Sequence, residues 1–242
     1  MVLTSEQHSA FQRDGFIGPI TLMSEQEMNT LRNHIEELMR ERSATESIYS
    51  AVAPTIGERA PLETIYDAHL DHPIIRKLAT HPLIVQTAKQ LLGDEVCIWR
   101  STFWIKSPGA RRIEWHQDTY KSEGFGWFPN INVWIALDEA QEHNCVWLVP
   151  GTQIEAIPLE QFKTSQYVQA LQDSEELPRP PFAIEKTIAK MPLRAGQCFA
   201  FDGKTLHGSP PNKQETRRAG IVIRFIPRGF RLNNLNTPLL DC

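Results

Sequence analysis

The sequence predicts an α+β protein with a mainly β core, a double-sheet jelly roll flanked by N-terminal helices. Three observations carry this reading. Through residues 1–95 apolar side chains recur at helical spacing, as at Met28, Leu31, Ile35 and Leu38. From Glu95 onward the period shortens to two, and β-branched and aromatic runs alternate with Gly, Pro and Asn turns. These runs number roughly seven or eight, enough for two packed sheets around one interior.

Taken in order, Phe11 to Asp14 end a first helix, which Gly15 breaks into a short strand at Phe16-Ile17. Ser24-Glu25-Gln26-Glu27 is a capping box, and its helix runs to about Arg42. Residues 43–62 show no period and contain Pro54, Gly57 and Pro61, as a surface connection or the border of a site would. Two helical pieces lie between His72 and Gly93, with Pro82 suited to a first turn and Gly93 to a stop. Residues 96–99 and 101–105 are predicted strands, closed by Ser107-Pro108-Gly109. Residues 113–120 form another, and a Gly-rich aromatic loop at 123–129 leads into a strong strand at 131–137. Residues 145–149 are a strand ended by Pro150-Gly151. The polar stretch at about 155–182, helical near 159–171, is an insertion, after which strands resume at 183–190, 197–202 and 219–226. One domain over 1–242 is expected, with a mostly helical part at 1–95 and a β core at 96–228.

A net charge of −4 leaves no electrostatic footprint for nucleic acid. No apolar run reaches the 18 or so residues of a membrane helix, and no basic amphipathic stretch suggests a membrane surface. Met1 to Gln7 lack the pattern of a secretory signal, so the cytoplasm is the expected location. The four cysteines show no CxxC pair, which argues against a structural zinc site; Cys97, Cys145 and Cys198 are expected to be buried free thiols.

The chemistry concentrates at Glu114-Trp115-His116-Gln117-Asp118-Thr119-Tyr120. In a strand, residues i and i+2 share a face, so His116 and Asp118 project side by side at metal-binding spacing. His207, before Gly208-Ser209-Pro210-Pro211, is the candidate third ligand. Two His and one carboxylate on one face of an octahedron describe non-haem Fe(II) oxygenases. An HxD pair is common by chance, but Arg217 and Arg218 follow His207 by ten and eleven residues and enter an apolar strand. A buried guanidinium needs an anion, and a carboxylate matches it bidentately. For Arg217 a local pair with Glu215 or Asp202 would suffice. Phe103, Trp104, Tyr120, Phe125 and Trp127 stand near the motif as an aromatic substrate pocket or as core, and Tyr120 shares the face of His116 and Asp118. Arg100, Lys106, Arg111, Arg112 and Arg228 are either anion-recognising or solvated, and His69 and His143 are structural. Two alternatives stay open at this point. One is a zinc hydrolase with Glu114 as general base; the other is a jelly-roll binding module without catalysis.

The chain resembles the phytanoyl-CoA dioxygenase family of Fe(II)/2-oxoglutarate-dependent oxygenases. The resemblance runs through Phe11-x-x-Asp14-Gly15-Phe16, His81-Pro82-Leu83 to Leu92-Gly93, His116-Gln117-Asp118, Val149-Pro150-Gly151-Thr152 and His207-Gly208-Ser209 to Arg218. It implies a double-stranded β-helix, with His116, Asp118 and His207 binding Fe(II). It further implies that Arg218 and Ser209 hold the far carboxylate of 2-oxoglutarate, and that Trp134 lines the co-substrate pocket. O2 completes the reaction, which yields succinate and CO2 while a small-molecule substrate is oxidised. Hydroxylation is the expected outcome, with desaturation, cyclisation or epimerisation as alternatives. Halogenation is disfavoured, because related halogenases carry Ala or Gly where this chain has Asp118. The chain departs from the family pattern at His143-Asn144-Cys145-Val146, Gln153 and Gly196-Gln197, none of which removes a proposed ligand.

Overall fold

Reciprocal capping opens each of the first two helices. Thr4 Oγ1 accepts from Gln7 N, and the Gln7 side chain accepts from Thr4 N, at the start of α1 (Ser5–Asp14). α1 stops at Gly15, whose φ of 85° suits glycine, and the chain enters β1 (Phe16–Thr21). Ser24 and Glu27 repeat the box ahead of α2 (Glu25–Ser43). Met28 and Ile35 on that helix are buried.

A computed structural model of the chain describes residues 3–43, 62–118, 128–180, 186–230 and 238–242. Residues 44–61 of the connection expected at 43–62, the loop residues Phe125 and Trp127, and Tyr120 fall outside the described residues. So does the side chain of Leu38.

β2 (Leu62–Tyr66) was not expected from its own pattern; it gains its backbone partners by pairing with the following strand. Three helices intervene: α3 (Ala68–Asp71), α4 (Pro73–Ala79) and α5 (Pro82–Leu92), the last two each with proline in the first turn. β3 (Val96–Lys106) is one strand, not the two expected. Arg100 does not interrupt it, because its guanidinium finds Asp67 at 3.7 Å and the Tyr66 and Trp99 rings.

β4 (Ile113–His116) is shorter than the run expected at 113–120. Asp118 lies just past its end, its N–H donated to Gly203 O at 2.7 Å. β5 (Ile131–Ala136) and β6 (Val146–Leu148) follow. The insertion carries a 3-10 turn at Leu159–Lys163 and α6 (Ser165–Asp173). The last strands are β7 (Ala189–Met191), β8 (Gln197–Asp202), β9 (His207–Ser209), β10 (Arg218–Pro227) and β11 (Leu240–Asp241).

The larger sheet runs β1-β8-β5-β10-β3-β11, with β2 also on β3; the smaller runs β4-β9-β6-β7. All pairings are antiparallel. Register sorts the side chains of the larger sheet. Val222 pairs with Trp134 on β5 and Thr102 on β3, and Gly220 with Ala136 and Trp104. Odd-numbered Phe103, Ile105, Val133, Ile135, Ile221 and Ile223 join Met28, Ile75 and Ile84 of the helices in one core. Even-numbered Trp134 and Val222 face the smaller sheet instead, together with Phe199, the β8 partner of Trp134. The site lies between the two sheets.

Candidate active site

Antiparallel pairing of β4 with β9 sets His116 directly opposite His207. Asp118, beyond the end of β4, turns its carboxylate to both. Its Oδ1 lies 3.6 Å from His116 Nε2 and 4.0 Å from His207 Nε2. One ligand atom from each of the three residues falls within 4.8 Å of the others, so they could hold a metal ion. Intervening Gln117 points the other way, as strand alternation requires, and its amide donates to Thr152, Glu155 and Lys204 carbonyls.

Both imidazoles are fixed in one tautomer. His116 Nδ1 donates to Glu114 O at 2.7 Å, and His207 Nδ1 to Thr205 O at 2.8 Å. A carbonyl only accepts, so Nδ1 carries the proton and Nε2 keeps a lone pair toward the centre. Burial, then neighbouring His116, pushes the His207 imidazole down to about 4, which favours the neutral, metal-binding form. Burial alone would raise the Asp118 carboxyl, but Arg224, the two histidines and a bond from Asn132 hold it below the ordinary value. Asn132 Nδ2 donates to Asp118 Oδ2 at 2.7 Å, and Arg224 Nε stands 3.7 Å from the same oxygen. An all-nitrogen and carboxylate donor set with both Nε2 lone pairs free fits Fe(II).

Arg218 forms the other end of the pocket. It is 1% exposed, its Nε donates to Asn144 O at 3.1 Å, and its two Nη atoms have no hydrogen-bond partner among the described residues. Burial lowers its pKa to about 10, which still leaves a full cation at neutral pH. Trp134 offers its ring at 5.3 Å from the guanidinium carbon. Ser209 Oγ accepts from Lys106 Nζ at 2.6 Å. These orphaned donors fit a carboxylate. Arg217 pairs instead with Asp138 and Glu36, not with the Glu215 or Asp202 considered from sequence, because it turns to the helical side of β10.

The open cleft encloses about 430 Å³, counting space in contact with solvent, and is lined by His116, Asp118, His207, Ser209, Arg218 and Trp134. Trp104 lines it too. Phe103 does not: it sits on the odd face, fully buried against the helices, and is corrected from substrate contact to core. Tyr120 and Trp127 lie outside the described residues. The Glu114 carboxylate is exposed beside Arg112 at 3.8 Å and lines no part of the cleft, which removes the proposed zinc-hydrolase base. Arg112 serves backbone carbonyls of 171 and 174, and Arg228 pairs with Asp241. Asn132 and Arg224 went unnoticed in the sequence. Their signal was parity, since each lies an even number of residues from Trp134 or Arg218 on the same strand.

Comparison with known proteins agrees with this geometry. Residues 11–220 match the sequence profile of the family described as phytanoyl-CoA dioxygenase (PhyH). The ectoine dioxygenase of Bordetella bronchiseptica is 27% identical over 98% of this chain and 78% of its own length. That of Streptomyces avermitilis is 25% identical over 92% of this chain and 78% of its own. In fold, the chain is similar to EctD from S. alaskensis crystallised with 2-oxoglutarate and 5-hydroxyectoine, with a TM-score of 0.75, 23% identity and coverage of 96% and 78%. It is also similar to the α-ketoglutarate-dependent carbocyclase SnoK from nogalamycin biosynthesis, with a TM-score of 0.73, 20% identity and coverage of 98% and 96%.

Proposed function

The chain belongs to the phytanoyl-CoA dioxygenase family and is an Fe(II)/2-oxoglutarate-dependent dioxygenase acting on a small molecule, and on that premise we propose that it hydroxylates its substrate at a centre built on His116, Asp118 and His207. The observation that carries the proposal is the convergence of three ligand atoms with two proton-fixed imidazoles, facing a buried guanidinium whose Nη atoms find no partner among the described residues.

His116 and His207 through Nε2, and Asp118 through Oδ1, would hold one Fe(II). Asn132 and Arg224 hold the other carboxylate oxygen, so Asp118 keeps its orientation as ligands exchange. Arg218 and Ser209 receive the far carboxylate of 2-oxoglutarate, and Trp134 covers its chain. When bound, iron and 2-oxoglutarate supply the oxidising power: O2 is consumed, succinate and CO2 are released, and one oxygen atom enters a substrate C–H bond. The protein's part is to place the substrate carbon and exclude competing reactions. Asp118 would serve as a third protein ligand where related halogenases carry Ala or Gly, which favours hydroxylation over halogenation.

Anaerobic addition of Fe(II) and 2-oxoglutarate tests the reading. A weak visible absorption band is expected, followed by succinate on aeration, and His116→Ala abolishes both. Absence of band and succinate from the unaltered chain overturns it. Because the compared relatives are named for ectoine, ectoine is the first compound to test; a succinate rate unchanged by ectoine excludes it as substrate and leaves the reaction class standing.

A further inference from the structure

The glycine of Phe11-x-x-Asp14-Gly15-Phe16 is far along the chain from every proposed ligand, yet it touches the turn on which the metal centre is built. β9 is three residues long, and the turn at 203–206 leads into it from β8. Successive carbonyls of that turn accept from the residues around the centre. Gly203 O takes the Asp118 N–H at 2.7 Å, and Lys204 O takes the Gln117 amide at 2.6 Å. Thr205 O takes His207 Nδ1 at 2.8 Å, and Leu206 O takes the Val149 N–H at 2.9 Å. The turn thus sets the backbone of one prospective ligand and the ring of another.

A turn that orients other groups must itself be held. Thr152 Oγ1 accepts from Leu206 N at 2.8 Å, and Asn130 O accepts from Gly203 N at 3.2 Å. A further hold comes from the start of the chain. Gly15 O, one residue beyond the pairing of Phe16 with Phe201, accepts from Asp202 N and from Thr205 Oγ1, each at 2.9 Å. Two donors use both lone pairs of a carbonyl. Thr205 is fully buried, where an unmet hydroxyl is costly. The close approach requires glycine. Gly15 has a φ of 85°, and a Cβ on it would stand 2.4 Å from Thr205 Oγ1.

We propose that Gly15 and Thr205 are positioning residues of the metal centre. The turn between α1 and β1 grips the Thr205 hydroxyl and so fixes the carbonyl that keeps the His207 proton on Nδ1 and its Nε2 lone pair toward the metal. The inference rests on the function proposed above and goes beyond it by giving the N-terminal turn a share in metal affinity. Neither residue lines the cleft.

The test compares Thr205→Val, which keeps the shape and removes the hydroxyl, with Thr205→Ser, which keeps the hydroxyl. Mn(II) affinity is measured by competition with a chelator of known affinity, beside the urea midpoint of each metal-free protein. Thr205→Val should weaken Mn(II) binding about tenfold, as loss of support behind a ligating His does, and Thr205→Ser should stay within about threefold of the unaltered chain. Ile84→Val, in the helix-side core, should lower the urea midpoint and leave Mn(II) affinity unchanged. Gly15→Ala, whose methyl would displace the hydroxyl, takes the place of Thr205→Val if that variant does not fold. Proton–nitrogen correlation spectra of the metal-free protein should show His207 as the Nδ1–H tautomer, and Thr205→Val should give a mixture of tautomers. Unchanged Mn(II) affinity in Thr205→Val, a loss that Thr205→Ser or Ile84→Val matches, or a tautomer unmoved by Thr205→Val overturns the proposal. If the unaltered chain binds no Mn(II), the function proposed above fails, and the tautomer spectra still decide this inference.

Discussion

The guanidinium of Arg218 lies over the ring of Trp134 at 5.3 Å, on the pocket face of two neighbouring strands. The indole packs against a buried cation while leaving both Nη atoms for a ligand. Arg218→Ala should therefore weaken 2-oxoglutarate binding by roughly 2–4 kcal/mol, the scale of a lost desolvated charge pair. Arg218→Lys should recover little, because a point charge lacks the planar fork. Titration of the visible band checks both, and wild-type affinity in the alanine variant would reject the assignment.

Gly220 makes room for that indole. A Cβ built on Gly220 would stand 2.2 Å from Trp134 Cζ2, far inside contact distance. Gly220→Ala should cost about 1–3 kcal/mol of stability by overpacking and weaken 2-oxoglutarate binding as the ring shifts. Adding Trp134→Leu should restore the urea midpoint but not the affinity. Recovery of affinity in that pair would count against a role for the indole.

Asp118 is oriented from behind. Asn132→Leu and Arg224→Met each remove one of the groups on its Oδ2, and each should lower metal affinity about 10–100-fold. Competition with a chelator of known affinity measures the loss. Affinity equal to that of the unaltered chain in both variants would show that the carboxylate needs no such support.

The metal-free protein should lose stability in mild acid. His207 is pushed down to about 4 by burial and by His116, whereas an unfolded chain protonates its histidines near 6.5. Between those values the unfolded state holds a proton that the folded state refuses, so unfolding free energy falls as pH falls from 6.5 to 4. The loss is about 3 kcal/mol at one unit per 1.4 kcal/mol. Urea midpoints from pH 7.5 to 4.5 measure the slope, and His207→Asn should flatten it. His69, also lowered by burial, adds a slope common to both proteins.

The convergence of His116, Asp118 and His207 was legible because its logic is local: two residues at i and i+2 around the end of one strand and a third opposite them. The helix starts were legible for the same reason, since Ser24 and Glu27 satisfy one another within a single turn. What escaped depended on partners far along the chain. Phe103 and Trp104 are chemically alike, and only pairing with β10 decides which meets the core and which meets the cleft. Lys106 reads from sequence as either anion-recognising or solvated, because lysine is rarely buried without a partner and its acceptors lie about a hundred positions away. β2 has too weak a pattern to announce itself and exists by virtue of β3.

β10 carries Arg218 at one end of the cleft and Arg224 beside Asp118, six residues apart on a single face. At about 3.4 Å per residue that spacing works as a ruler of about 20 Å, calibrated by hydrogen bonds to β3 and β5. A slip of one residue would rotate both guanidiniums into the oily side and bring Ile221 and Ile223 into the cleft. Misfolding and loss of chemistry would then be a single event, so a chain that closes its sheet correctly has already measured out its own reaction chamber.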